Sequence, residues 1–226
     1  SAVMSKLFSA VRPYGFTKSN TVFGTSTCPD EINGDRGHLT TLLTKHYGTA
    51  FPLGGLGGVP SVGKTGFFAF SHHVPDDGHV LVVFGPHIGF THDGRAGRFL
   101  RRGQADASTA CGALNAAYSQ LASGASTGAD PRDAQQSWIR ARLQPYMPDV
   151  ESSPQPMIAL VTRFYKIVEE EMLAIATTDY GPGNLVLLGG ITINMPYPRP
   201  GYFLPLHFSV RSKAVEPKDL MSTFDG

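Results

Sequence analysis

The chain has 226 residues, of which 41% are hydrophobic, so it is long enough to bury a large core and too apolar to be disordered. Its 19 basic and 18 acidic residues nearly cancel, which leaves no electrostatic case for binding nucleic acid or an anionic membrane surface. No apolar run approaches the length of a membrane span, and two cysteines are too few for a disulfide framework.

The first quarter of the chain predicts a helix, a strand and a second helix. Apolar residues at helical spacing in residues 1–16 predict the first helix. The β-branched segment 22–28 predicts a short strand, and Cys28 lies where that strand gives way to a polar loop. Helical spacing returns between residues 39 and 46, and Gly48 marks the end of the second helix.

A glycine-rich segment at residues 54–66 contains a formal match to the phosphate-binding P-loop, from Gly58 to Thr65. That motif needs a buried strand before it and a helix after it, so that backbone N–H groups can surround a phosphate. Segment 66–70, which is rich in phenylalanine, predicts a strand instead. We therefore interpret residues 54–66 as a loop whose glycines let backbone segments approach closely, with a P-loop nucleotide hydrolase as the less favoured alternative.

The most informative segment is 79–89, in which an apolar run from Val80 to Phe84 is followed by Gly85, Pro86 and His87. A short β-branched run closed by turn residues predicts a buried strand. An apolar run without alternation is typical of a parallel sheet that helices cover on both faces. Ligands of such sheets bind just past the carboxyl ends of the strands, which is where we expect His87 to lie.

The second half of the chain predicts three helices followed by two strands. One helix begins near residue 111, and the others cover about residues 131–144 and 156–177. Residues 185–193 form a second buried apolar run that a glycine pair could bend, and residues 202–210 predict a more exposed strand. Together the elements predict an α/β fold in which helices flank a central, largely parallel sheet.

Cys28, His87 and Cys111 are candidate metal ligands. Cys28 and His87 each follow a predicted strand and Cys111 opens a predicted helix, and strand ends and helix starts share one rim of an α/β sheet. Two thiolates and an imidazole suit zinc, with the fourth position open to water as in catalytic sites. Asp30, two residues after Cys28, is placed to accept a hydrogen bond from the water or hydroxide at that fourth position. Arg36 is the cation nearest in sequence that could keep the Asp30 carboxylate ionised.

The spacing alone leaves other interpretations open. No Cys-x-x-Cys pair is present, and each candidate ligand comes from a separate segment. The two cysteines could be core thiols, or they could form one disulfide bond in a structural protein. A zinc ion could also be structural, with Asp30 as its fourth ligand, in a non-catalytic protein that acts as an assembly partner.

Several short motifs, spread in order between about residues 20 and 210, resemble those of one family. They are Cys28-Pro29-Asp30-Glu31-Ile32-Asn33, Pro75-Asp76-Asp77-Gly78-His79, Phe84-Gly85-Pro86-His87-Ile88-Gly89, Arg101-Arg102-Gly103-Gln104, Cys111-Gly112-Ala113, Gly189-Gly190-Ile191-Thr192-Ile193-Asn194 and Tyr202-Phe203-Leu204-Pro205-Leu206. On these motifs the chain resembles the limiting-carbon-dioxide-inducible B/C family, also called the theta-class carbonic anhydrases.

The resemblance implies a fold like that of the beta-class carbonic anhydrases, with zinc held by Cys28, His87 and Cys111. It implies a zinc-dependent lyase that reversibly hydrates carbon dioxide to bicarbonate, in a single carbonic-anhydrase-like domain over residues 1–226. It also implies a homodimer with sites near its interface. The expected location is intracellular, in the chloroplast stroma with a transit peptide that is not visible in this sequence, or alternatively in the cytoplasm.

One position departs from the beta-class pattern, in which Cys-x-Asp-x-Arg supplies an arginine two residues after the aspartate. Here Ile32 occupies the arginine position, so the cationic partner of Asp30 has to come from elsewhere. We assign Arg36 to this role, and the basic segment Arg98–Arg102 offers the alternative.

Overall fold

The computed structural model describes residues 2–34, 38–177, 179–213 and 215–225. Its nine strands are β1 (Thr21–Thr27), β2 (Phe51–Pro52), β3 (His79–Gly85), β4 (His87–Gly89), β5 (Arg98–Phe99), β6 (Ser108–Thr109), β7 (Leu185–Asn194), β8 (Tyr202–Arg211) and β9 (Lys218–Asp219). Seven of them form one sheet in the order β2-β1-β3-β7-β8-β9, with β4 also pairing with β7, and β5 and β6 form a separate two-stranded ribbon.

The main sheet is parallel on one side and antiparallel on the other. The pairs β1–β2, β1–β3, β3–β7 and β4–β7 are parallel, whereas β7–β8 and β8–β9 are antiparallel. The prediction of an α/β fold with a central, largely parallel sheet flanked by helices is therefore confirmed.

The described residues include seven α-helices, which flank the sheet. They are α1 (Ala2–Val11), α2 (Leu39–Tyr47), α3 (Gly63–Ser71), α4 (Gly112–Ala122), α5 (Ala134–Leu143), α6 (Met147–Ser152) and α7 (Pro156–Ile175). The buried hydrophobic side chains of α3 to α7 belong to a large core on one face of the sheet, and those of α1 and α2 belong to a smaller core on the other face. The apolar sides of the helices therefore contribute to two cores that cover the two apolar faces of the sheet.

The two cores explain why the central apolar run shows no alternation. Val80, Val82 and Phe84 of β3 point into the large core, and Leu81 and Val83 point into the smaller one. All five are fully buried. A strand that lies between two apolar layers needs hydrophobic residues at every position, as the sequence pattern predicted.

Most predicted elements agree with the structure, but the strand predicted at 66–70 is wrong. This segment belongs to α3, in which Phe67 and Phe70 are buried in the large core and Phe68 is exposed. The burial of residues three apart is the helical pattern, and a short apolar run does not distinguish a helix from a strand. The bend expected at the glycine pair of β7 is present as a register shift between Gly189 and Gly190.

None of the helices in the described parts of the chain is both long enough and apolar enough to span a lipid bilayer.

Candidate metal centre

Three donor side chains meet at the rim of the sheet where the parallel strands end. Cys28 directly follows β1, His87 begins β4, and Cys111 precedes α4 as its N-cap residue. One ligand atom of each lies within 4.8 Å of those of the other two, and all three residues are buried. The two sulfur atoms are 3.7 Å apart, so the cysteines are free thiols and not a disulfide.

His87 reaches this rim because the backbone breaks between β3 and β4. Gly85 has a φ of +138°, and a Cβ atom added there would lie only 1.8 Å from the carbonyl oxygen of Gly190 on the neighbouring strand. Beyond Pro86 the chain pairs again with β7, and His87 lies opposite Thr192. The imidazole is therefore fixed by a strand and not carried by a loop.

The unused nitrogen of His87 indicates a ligand position. Its Nδ1 lies 2.8 Å from Oδ1 of Asn194, whereas its Nε2 is buried and has no hydrogen-bond partner among the described residues. A buried polar atom without a partner is costly, and buried polar atoms in folded proteins are nearly always satisfied. An Nε2 lone pair beside two thiols is a donor set that fits a zinc ion.

The two thiols also favour a cation between them. The Cys111 thiol beside it lowers the pKa of Cys28 to about 4, although burial opposes this shift. The same contact with Cys28, together with burial, raises the pKa of Cys111 well above its usual value. Two adjacent buried thiols thus disfavour a second negative charge, and a positive ion between them would favour two thiolates.

Asp30 lies beside this donor set and is held by an arginine. Nη2 of Arg101 donates to both carboxylate oxygens at 2.9 Å, and Oδ2 of Asp30 is 3.6 Å from Nε2 of His87. Arg101 belongs to the basic segment that offered the alternative to Arg36. Arg36 itself lies outside the described residues, so its assignment stays a prediction.

The guanidinium of Arg101 is fixed from three other directions. Its Nε donates to Oε1 of Glu31 at 2.5 Å, and its Nη1 donates to the Ser108 hydroxyl at 2.7 Å and to the Thr109 carbonyl at 3.1 Å. The strand pair β5–β6 therefore positions the arginine, because it supplies two of the acceptors and closes the loop that carries residue 101.

Asp30 experiences opposing influences on its charge. Burial raises its pKa above the usual value, while His87 and Arg101 act to lower it. Arg101 therefore helps to keep a partly buried carboxylate ionised. The donor cluster found within 4.8 Å comprises two cysteines and a histidine of the described residues and does not include Asp30.

A cavity borders the centre on the side of β1. Its volume is about 570 Å³, and Cys28, Asp30 and Asn33 are among the residues that line it. A second cavity of about 1050 Å³ lies on the side of Arg101, with Glu31 and Tyr197 in its wall. Small molecules can therefore reach Cys28 and Asp30 from the first cavity, whereas the second borders Arg101.

The P-loop match has different surroundings from those that the sequence predicted. A helix does follow it, because α3 begins at Gly63. However, five N–H groups within the loop already donate to backbone carbonyls. The donor–acceptor pairs are Gly58 to Gly55, Val59 to Leu56, Ser61 to Val59, Val62 to Leu53 and Gly63 to Pro60. These groups are not available to surround a phosphate. The interpretation of close approach agrees with the structure, since a Cβ atom on Gly58 would lie 2.3 Å from the Gly85 carbonyl oxygen.

Asn194 and Asn33 were missed as functional candidates, although their motifs were noted, and Arg101 was predicted only as one member of the alternative segment Arg98–Arg102. All three lie within the shared family motifs, but nothing in the spacing singled them out. Arg101 is 71 positions from Asp30, and Asn194 is 107 positions from His87. Only the folded sheet brings them together.

The fold and the centre define a class of protein: an α/β protein whose parallel strands end at a buried cysteine, histidine and cysteine that could bind a metal ion. The model of one family, described as the limiting CO2-inducible proteins B/C, beta carbonic anhydrases, matches residues 1–212. The chain therefore belongs to that family. A comparison with curated proteins found no match.

Two solved structures support this assignment at the level of the fold. PtLCIB4, a homologue of the limiting CO2-inducible protein LCIB, is 29% identical with a TM-score of 0.86, over 97% of this chain and 93% of that chain. LCIB itself is 21% identical with a TM-score of 0.73, over 97% of this chain and 91% of its own. The beta-carbonic anhydrase CafA of Aspergillus fumigatus is more distant, at 16% identity and a TM-score of 0.47 over 91% of this chain and 84% of that chain.

Proposed function

We propose that this chain is a carbonic anhydrase that reversibly hydrates carbon dioxide to bicarbonate, with zinc held by Cys28, His87 and Cys111. The observation that carries the proposal is the juxtaposition of three donors with the pair formed by Asp30 and Arg101. The donors are two thiols and a buried Nε2 that has no hydrogen-bond partner within the described parts of the chain. The donor set fits zinc, and the adjacent carboxylate is the kind of group that accepts a proton or a hydrogen bond during hydration.

Zinc bound at this centre would supply a Lewis acid that lowers the pKa of a water molecule, which is the chemistry that carbon dioxide hydration needs. Two thiolates neutralise much of the charge of the metal, so the protein has to assist with groups of its own.

Asp30 provides that assistance. Its carboxylate accepts the hydrogen bond of the reacting water and so orients a lone pair of the water oxygen towards carbon dioxide. Arg101 restricts the carboxylate through its contacts with both oxygens. Glu31 and Ser108 in turn restrict Arg101, which leaves little freedom in the position of the acceptor.

Stopped-flow measurement of carbon dioxide hydration with a pH indicator tests the proposal. The parent protein, with its zinc content determined, is compared with Cys28→Ala, Asp30→Asn and the exposed control Asp149→Asn. We expect activity in the parent and the control, none in Cys28→Ala, and a loss of about 100-fold in Asp30→Asn with zinc retained.

An inactive parent that contains zinc would contradict the enzyme assignment and would favour a non-catalytic zinc protein. Retention of activity in zinc-free Cys28→Ala would show that the metal does not take part in the reaction.

We further propose, on family membership alone, a homodimer, a single domain over residues 1–226 and a chloroplast location. Light scattering coupled to size-exclusion chromatography measures the mass of the assembly, and a monomer at micromolar concentration would contradict the first of these. Limited proteolysis tests the proposal of a single domain, since a single domain gives no stable internal fragments. Imaging of the fluorescently tagged full-length protein tests the chloroplast location.

A further inference from the structure

We infer that Asn194 and Asn33 are positioning residues that determine which nitrogen of His87 is free to bind the metal ion. The inference rests on the proposed zinc site and deepens it, because it concerns how the fold prepares one ligand. It is carried by a chain of hydrogen bonds that begins at a backbone carbonyl and ends at the imidazole.

The chain of hydrogen bonds has only one allowed direction. Nδ2 of Asn33 donates to the carbonyl oxygen of Cys28 at 3.1 Å, and a carbonyl can only accept. Oδ1 of Asn33 therefore faces Asn194 and accepts from its Nδ2, at 3.1 Å. Oδ1 of Asn194 is then left for His87, and it lies 2.8 Å from Nδ1.

The imidazole has to donate to this last oxygen, so the hydrogen atom of neutral His87 lies on Nδ1. Its lone pair then lies on Nε2, the buried atom that has no partner among the described residues. The tautomer needed for metal binding is thus set by a backbone carbonyl through two amide side chains.

A second carbonyl supports the same direction. Nδ2 of Asn194 also lies 3.5 Å from the carbonyl oxygen of Ile32, at the limit of a hydrogen bond. A flipped Asn194 would place its oxygen against two acceptors, the Ile32 carbonyl and Oδ1 of Asn33. Because Asn194 is only 2% exposed, water cannot compensate for that loss.

The two amides also join two ligands that come from different elements. Asn194 ends β7 and contacts the imidazole of β4, whereas Asn33 contacts the backbone of Cys28 after β1. A neutral amide suits this position, because a carboxylate would add a negative charge to a centre that already has two thiols and Asp30.

The test compares Asn194→Leu, which keeps the size of the side chain without hydrogen bonds, with Asn194→Asp, which keeps an acceptor for Nδ1. Asn184→Leu is the matched control, since Asn184 also joins two segments but contacts the Tyr14 carbonyl. The zinc dissociation constant is measured by chelator competition, and the absorption spectrum of the cobalt(II)-substituted protein reports the ligand geometry.

We expect zinc affinity to fall by about 100-fold in Asn194→Leu and by only about tenfold in Asn194→Asp, which keeps the acceptor for Nδ1 but turns a second oxygen towards Oδ1 of Asn33. The control should keep the parent affinity, and only Asn194→Leu should change the cobalt spectrum. If Asn194→Leu does not fold, Asn33→Leu is expected to weaken zinc binding by about tenfold from the other end of the chain of hydrogen bonds.

This inference would be overturned if folded Asn194→Leu kept the zinc affinity and the cobalt spectrum of the parent. The same holds for Asn33→Leu where that variant is used, and the proposed function would stand in either case. A parent protein that binds no zinc would overturn both, and that outcome is read from the parent alone.

Discussion

Arg101 shows how much of the candidate site depends on a single side chain. Its guanidinium donates to a carboxylate on each of two consecutive residues, Asp30 and Glu31, and also to the β5–β6 ribbon. The planar fork of arginine can make these contacts at once, which the ammonium group of lysine cannot do. The side chain is mostly buried, with 18% exposure, so the contacts are shielded from water.

Replacement of Arg101 by lysine should therefore reduce carbon dioxide hydration more than it reduces stability. We expect kcat to fall by about 10-fold to 100-fold, because the charge is kept while the restriction on the Asp30 carboxylate is lost. Stopped-flow assays with zinc analysis provide the measurement. Arg142→Lys is the control, since Arg142 forms ion pairs with Glu170 and Glu171.

Parent-like kcat in Arg101→Lys would show that the Asp30 carboxylate is positioned by other groups. Equal losses in both variants would point to a general effect of arginine replacement.

At the scale of elements, the break between β3 and β4 decides where His87 lies. Gly58, Gly85 and Gly190 stack backbone against backbone at this point, with the glycine loop on one side and β7 on the other. No side chain fits between these backbones, so the glycines are required by space as well as by conformation.

Gly85→Ala should destabilise the protein by about 3 kcal/mol, because the new methyl group would meet the Gly190 carbonyl and the backbone would have to move. Zinc affinity should fall with it, since the same shift displaces His87. Urea denaturation and chelator competition measure the two effects. Gly124→Ala is the control: Gly124 also has positive φ, at +77°, but nothing lies within 4 Å of its added Cβ atom.

The control should lose about 1 kcal/mol from backbone strain alone. If both variants lost the same amount, the close approach to Gly190 would not be important for stability.

At the scale of the whole molecule, Glu169 joins α7 to β8. Its carboxylate accepts from the Tyr165 hydroxyl at 3.0 Å and from Lys166 at 2.9 Å, and it lies 3.3 Å from Nδ1 of His207. Burial acts to raise the pKa of Glu169, but the contacts with His207, Lys166 and Tyr165 outweigh it and lower the pKa from 4.5 to about 2.

A carboxyl group with a lowered pKa stabilises the folded state fully above its unfolded pKa, and this contribution is lost as the pH falls through the folded value. Between neutral pH and about pH 3, the parent should therefore lose about 2 kcal/mol more stability than Glu169→Gln. Urea unfolding at both pH values measures the difference, with Glu170→Gln, an exposed surface replacement, as the control.

The same acid dependence in the parent and in Glu169→Gln would contradict the assignment. A flattened dependence in Glu170→Gln would show that surface ion pairs, and not Glu169, cause the acid loss.

The sequence predicted the fold well where a pattern is local. The buried strands around Val82 and Leu187 follow from unbroken apolar runs, and the long helix from Pro156 follows from apolar periodicity. Cys28 and His87 follow from the positions of strand ends, and Cys111 follows from the start of a helix. The sequence offered the segment Arg98–Arg102 only as an alternative partner of Asp30 and could not single out Arg101, because that contact depends on how the β5–β6 ribbon packs against the segment after β1. Local patterns contain no information on such contacts between distant segments.

The smaller core has a consequence for the order of folding. The buried residues of the large core all lie between Cys28 and Ile191, whereas the smaller core combines Leu7 and Val11 of α1 with Leu220. Lys6 also donates to the carbonyl of Phe224 across 218 positions. During synthesis the large core can form while the C-terminal segment is still inside the ribosome. The smaller core cannot be completed until that segment has emerged. The chain therefore spends part of its synthesis with one face of its central sheet uncovered, and that face is where we expect a chaperone to bind.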